Sequence, residues 1–337
     1  MTIQTPNKTL TLASGTRYAY FHYPGSKQTL LFLHGFPSTS HDWRFQIAYF
    51  RSRGYGIVAP DLLGYGGSSK PLNPEAYLGS IMSADIISIL DHEGITGPVI
   101  GIAHDWGTYL LSQLACRYPS RFSKFVFLSE PYGPPGRAMD VHRINKTTKR
   151  QMGFEQFGYW LFFSEDGAGK TIGQNKESFL SLVYAENPSI WKTSFAPVDG
   201  MRQWLATGSH THLAPYITEE DEEHHYKAFG NDYSGPVMWY KRGIRSLGSE
   251  EEKEMLATGE IKNGGRIGKE TLMITGLKDV VCTSARARLT MKSNVETGKL
   301  KVVDLDAGHW IMLEKAEQTN SVLEKFIEEG VGVKSVL

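Results

Sequence analysis

The chain has 337 residues, 40% of them hydrophobic, enough for a sizeable core without disulfide or metal staples. With 36 Lys and Arg against 36 Asp and Glu the formal net charge is zero, giving no sign of the clustered basic excess that a nucleic acid partner demands. Two cysteines, Cys116 and Cys282, are too few for a disulfide framework and fit a reducing compartment.

The first fifteen residues, MTIQTPNKTLTLASG, lack the basic-then-apolar order of a leader, so the NKT sequons at Asn7 and Asn145 carry little weight. TLTLASGTRYAYFHY reads as an antiparallel hairpin turning at Ser14 and Gly15. Four short apolar runs follow: LLFLHG, GIVAPDL, PVIGIAHD and KFVFLSE. Such runs suit strands buried on both faces. Between them, Met82, Ile86, Ile89 and Leu90 form one helical face, and Leu110, Leu111, Leu114, Ala115 and Tyr118 form another that Pro119 ends.

After Pro131 the pattern breaks, and to about Arg245 the chain is aromatic, glycine-rich and polar. The run Glu219-Glu220-Asp221-Glu222-Glu223 reads as the solvated start of a helix. Strand-like runs return in TLMITGLKD and LKVVDLDAGHW, and a last helix uses Val322, Leu323, Phe326 and Ile327 before Gly330. One sheet interrupted once implies a doubly wound, mostly parallel α/β fold with an insertion. No apolar run approaches the roughly 20 residues of a membrane span. A soluble cytoplasmic protein is expected. The final Ser335-Val336-Leu337 lacks the basic middle residue of a peroxisomal Ser-Lys-Leu, which leaves that destination open.

The chemistry concentrates at Ala103-His104-Asp105-Trp106-Gly107, where a strand meets a helix. Small residues flank a central carboxylate, the layout of a nucleophile elbow with Asp in place of Ser. The plainer alternative is that Asp105 only caps the helix. Two further segments favour chemistry. Asp279 follows the strand TLMITGL and His309 follows KVVDLDA, so nucleophile, acid and histidine come in order at strand ends. His34-Gly35-Phe36-Pro37 follows LLFL, where a turn can aim the Phe36 N–H beside that of Trp106 as an oxyanion hole.

These segments resemble the epoxide hydrolase branch of the α/β-hydrolases. The likeness lies in HGFP (34–37), DLLGYGGSSKP (61–71), GIAHDWG (101–107), TGLKD (275–279) and GHW (308–310), and covers about residues 30 to 330. It implies a hydrolase core formed by 1–130 and 246–337, with 131–245 as an inserted, mainly helical cap. Two cap tyrosines of that branch hold the epoxide oxygen. FGYWL (157–161) and GPVMWY (235–240) resemble the segments that bear them, which points to Tyr159 and Tyr240. The implied reaction opens an epoxide on Asp105 and releases the diol with water activated by His309. It needs neither metal nor organic cofactor. The aromatic cap residues Trp160, Phe162, Phe163, Trp191, Trp204 and Trp239 suggest an apolar or aromatic epoxide, met by a monomer or homodimer.

Other features weigh less. GAGKT (167–171) imitates a phosphate loop but has Ser164 where the first Gly is required. The pairs His210/His212 and His224/His225 lack companions at metal spacing and read as solvent-exposed. His104 is expected to pack behind the elbow, and Gly64, Gly66 and Gly67 to serve turns. Glu130 is an alternative partner for His309, as in some haloalkane dehalogenases, while Asp304 and Asp306 are expected not to reach it. Haloalkane dehalogenation is the closest rival, although position 36 is Phe where that branch typically has Asn. A non-catalytic ligand-binding protein of the same fold is the other alternative.

Overall fold

A computed structural model describes residues 6–331; the terminal Ser-Val-Leu lies outside them. Eight strands form one sheet: β1 (Lys8–Thr11), β2 (Arg17–Tyr23), β3 (Lys27–Leu33), β4 (Tyr55–Pro60), β5 (Val99–His104), β6 (Phe122–Leu128), β7 (Glu270–Gly276) and β8 (Leu300–Leu305). Their order is β1-β2-β4-β3-β5-β6-β7-β8. The β1–β2 and β2–β4 pairs are antiparallel, and the rest of the sheet is parallel. Every residue of β4 and β5 is buried, which is why those runs carry no polar alternation. The hairpin and all six strand-like runs lie where the sequence places them.

After β3 the chain steps to one side for β4, then returns past β3 to place β5 on the other. The strand order therefore reverses between β3 and β5, and the loops leaving their carboxyl ends face one crevice. The helices Gly79–His92 and Trp106–Arg117 cover the sheet, and Ala316–Glu329 closes the chain before Gly330. Between β6 and β7 the described residues form helices, including Tyr159–Phe163, Glu219–Phe229 and Met238–Ile244, with no strand of the main sheet. Trp239 anchors this segment, its indole N–H donating to Leu63 O at 2.8 Å, and Trp310 reaches it from the other side by donating to Val183 O at 3.0 Å.

Two expectations for this segment need correction. His225 is not exposed: it is buried, stacks on Phe229 one turn later and meets the Tyr233 hydroxyl at 2.8 Å. His224 stacks on His41. The acidic run does start a helix, with Thr218 and Asp221 forming a capping box. Asp221, however, turns inward to His41 at 2.9 Å and Arg44 at 3.0 Å. The helix must bury one face, and charge patterning along the chain did not reveal which. His210 and His212 are exposed, and Lys170 of the phosphate-loop lookalike points to solvent.

The loops after β3 and β4 are tied by Asp61. Its Oδ1 accepts from the Ser40 N–H at 3.0 Å and the Ser40 hydroxyl at 2.6 Å, and its Oδ2 accepts from the Gly67 N–H at 2.9 Å. Gly64 and Gly66 have positive φ, as turns of this kind require. No helix among the described residues is long and apolar enough to cross a membrane. Asp61→Ala would leave the buried Ser40 N–H and hydroxyl unpaired and should destabilise the fold by about 2–4 kcal/mol, read from urea melts; a loss within error would mean that water replaces the carboxylate.

Candidate active site

Asp105 stands between β5 and the helix that follows, with φ 50° and ψ −125°. A non-glycine residue held there stores strain, and its side chain makes no capping hydrogen bond to the helix. The capping alternative therefore fails. Crowding explains the small neighbours. A Cβ at Gly107 would lie 2.3 Å from Leu33 O, and one at Gly35 would lie 2.3 Å from Asp105 Oδ1. Bare backbone lets the Phe36 N–H reach Asp105 Oδ1 at 2.7 Å. The Trp106 N–H has no protein acceptor among the described residues. The Phe36–Pro37 peptide is cis.

His34 supports this loop rather than joining the chemistry. Fully buried, it donates from Nδ1 to Gly35 O and accepts the Leu62 N–H at Nε2, both at 2.9 Å. Burial lowers its pKa, consistent with the neutral tautomer those two bonds require.

His309 lies in the turn after β8. Its Nδ1 is 2.7 Å from Asp279 Oδ2, and its Nε2 is 3.7 Å from Asp105 Oδ2, an ion-pair contact rather than a hydrogen bond. Asp279 Oδ1 accepts the N–H groups of Val281 and Cys282, each at 2.9 Å. The His309 carbonyl accepts from the Ser129 hydroxyl at 2.7 Å and from His104 Nε2 at 2.9 Å, so His104 does pack behind the elbow. Glu130 is directed elsewhere: it pairs with Arg286 at 3.1 Å and accepts from the Cys282 thiol at 2.8 Å. Asp304 binds Thr275 and Arg288, and Asp306 binds Lys278.

Burial pulls the His309 pKa down, but Asp279 and Asp105 outweigh it and hold the imidazole at about 10. Burial also opposes charge on both carboxylates, yet contact with His309 keeps each below its ordinary value. The buried cluster is therefore an imidazolium between two carboxylates. Asp279, Cys282 and His309 offer donor atoms within 4.8 Å of one another, a spacing a metal could use. In this cluster the Asp279 oxygens and the Cys282 thiol are already engaged in the contacts above, and burial holds the thiol protonated.

Tyr159 and Tyr240 stand together near Asp105, their rings 5.8 Å apart, with Tyr240 packed 5.1 Å from Trp106. Burial, reinforced by the Asp105 charge, raises both phenols well above their ordinary pKa. They are neutral donors. Cavities open on either side of the Asp105–His309 pair. One, of about 400 Å³, is lined by His309, Asp279, Trp191 and Tyr216. The other, of about 230 Å³, is lined by Asp105, Trp106, Tyr159 and Trp160. Of the six cap aromatics, only Trp160 and Trp191 line these cavities; Phe163 and Trp239 are fully buried in packing. Sequence reading missed Ser129 and the Val281 and Cys282 amides. Ser129 lies 180 positions from His309, with no local pattern to mark it.

The family described as alpha/beta hydrolase fold matches residues 28–316. The chain belongs to it. Within this family the chain is similar to epoxide hydrolases. Bifunctional epoxide hydrolase 2 of Mus musculus is 27% identical over 334 residues, which cover 97% of this chain and 56% of the mouse protein. The chain thus spans just over half the length of that relative. Epoxide hydrolase A of Mycobacterium tuberculosis is 28% identical over 313 residues, covering 90% of this chain and 91% of its own. The crystal structure of an epoxide hydrolase from Vigna radiata superposes with a TM-score of 0.74 at 25% identity, over 95% of this α/β-hydrolase and 97% of the plant chain.

The charge cluster has a measurable signature. By NMR, the His309 imidazole should stay protonated through neutral pH and titrate near pH 10, and Asp105→Asn should move that midpoint down. An unfolded histidine titrates near 6.5, so its stabilising contribution is complete below about pH 6.5 and fades as pH rises through the folded value. A wild-type midpoint near 6.5 would dismantle the charged cluster.

Proposed function

We propose that this α/β-hydrolase is an epoxide hydrolase, with residues 131–245 as a cap over the core and Tyr159 and Tyr240 as its acids. The observation that carries this reading is the arrangement around Asp105: one oxygen held by the Phe36 N–H, the other facing His309, and two neutral phenols close by with rings 5.8 Å apart.

Asp105 attacks an epoxide carbon, forming a carbon–oxygen ester bond as the strained ring bond breaks. The electrons of that bond leave on oxygen as an alkoxide, which takes a proton from one phenol while accepting a hydrogen bond from the other. Ester formation removes the charge of Asp105, one of the two carboxylates that raise the His309 pKa. His309 then gives up its proton more readily, which restores the phenol and leaves a neutral Nε2. That nitrogen takes a proton from water, and the resulting hydroxide adds to the Asp105 carbonyl carbon. The developing oxyanion meets the N–H groups of Phe36 and Trp106. Asp279 keeps Nδ1 protonated and orients the ring. Collapse expels the diol and regenerates the carboxylate.

With small epoxides, His309→Gln should accumulate a mass increase of one substrate on the peptide that contains Asp105. Tyr159→Phe and Tyr240→Phe should each slow formation of that adduct by about 30- to 1000-fold, leaving ester hydrolysis little changed. Absence of an adduct with every epoxide tried would sink the two-step route. Bromide release from bromoalkanes that survives both Tyr→Phe changes would mark a dehalogenase instead.

The two acids separate by ranking. Asp279→Asn should depress ester hydrolysis by about 10²- to 10⁴-fold, whereas Glu130→Gln should be mild in single-turnover assays; the opposite order would hand the role to Glu130.

A further inference from the structure

We propose that the cavity on the Asp105 side carries a carboxylate-binding subsite centred on Arg242, so that the substrate is an epoxide bearing an acid group. The substrate class rests on the epoxide hydrolase reading; the anion site itself does not. Arg242 belongs to the helix Met238–Ile244, two residues beyond Tyr240, and lines the cavity that Asp105 and Tyr159 also line. Its side chain is only 8% exposed, and its guanidinium stacks on the Tyr109 ring at 3.8 Å.

Other buried or half-buried arginines of this protein are matched: Arg44 by Asp221, Arg117 by Glu251 and Arg286 by Glu130. Arg242 is not. Among the described residues it makes no ion pair within 4 Å, and its Nε is buried without an acceptor. Glu252 also lines the cavity, but its Oε2 is occupied by the Gly136 N–H at 2.7 Å and it stays beyond ion-pair distance of Arg242.

A buried guanidinium without a counter-ion is costly, so a site that keeps one gains when an anion enters. The planar fork of Arg matches the two oxygens of a carboxylate. Arg137, exposed at the rim of the same cavity and also without an ion pair, adds positive charge at the mouth. Opposing charges are mostly spoken for: Glu130 by Arg286, and Asp105 by protonated His309. Glu252 is the remaining negative group. The charged lining also departs from the apolar substrate that the count of cap aromatics suggests.

The test has two arms. In the first, octanoate and the neutral octanamide are titrated into the wild-type protein by calorimetry, with no epoxide present. Octanoate should bind about 10- to 100-fold more tightly, and Arg242→Met should abolish that difference. In the second, kcat/KM is measured for a homologous series of terminal epoxides ending in a carboxylate, each against its methyl ester. The acid should be preferred by a similar factor at the best chain length, Arg242→Met should erase the preference, and Arg242→Lys should keep part of it. Equal binding of octanoate and octanamide by wild type, with equal turnover of acid and ester, would overturn the subsite. So would a preference that persists in Arg242→Met. If that variant does not fold, the wild-type comparisons and Arg242→Lys still decide. Arg242-dependent octanoate binding with no turnover of any epoxide would uphold the anion site and refute the epoxide reading.

Discussion

An imidazolium held between two buried carboxylates is unstable unless each oxygen and each ring nitrogen has a partner, and much of this structure serves that requirement. His309, helped by backbone amides, brings Asp105 and Asp279 below their ordinary range, and they in turn raise it to about 10. Backbone amides finish the arrangement: Phe36 on one carboxylate, Val281 and Cys282 on the other. The His309 main chain is fixed by Ser129 and His104, which come from the ends of two neighbouring strands. Every one of these groups leaves the carboxyl edge of the sheet, so the twist and order of the parallel strands set the geometry of the charge cluster.

The strand reversal between β3 and β5 provides the room. It brings the Gly35–Phe36 backbone against Asp105 closely enough that no side chain fits at Gly35, and it brings the β3 carbonyls against Gly107. The strained backbone of Asp105 is held by that crowding. Asp61 then ties the β3 loop, whose Phe36 amide meets Asp105, to the β4 loop. Steric exclusion and a buried carboxylate thus do the same work from opposite sides.

The segment between β6 and β7 determines what surrounds Asp105. It brings Tyr159 and Tyr240 close to Asp105 and supplies part of the lining of both cavities. Most of its aromatic residues pack among themselves or on the core, as Trp239 does against Tyr65, Tyr77 and Leu63. Aromatic content therefore speaks for the cohesion of this segment more than for its ligand.

Strand positions, the interruption of the sheet and the order Asp105, Asp279, His309 are legible along the chain. Each rests on a short local signal: an apolar run of strand length, a turn that demands glycine, or a polar residue just past a strand end. Which acid faces His309 is not such a signal, because Asp279 and Glu130 both follow strands, and only the fold directs Glu130 to Arg286 and Cys282. The burial of His225, the inward turn of Asp221 and the unmatched charge of Arg242 belong to the same class. Local sequence determines backbone conformation and strand burial through sterics and periodicity. The pairing of charges depends on distances of a few ångströms between segments far apart in the chain, and those distances exist only once the helices have packed on the sheet.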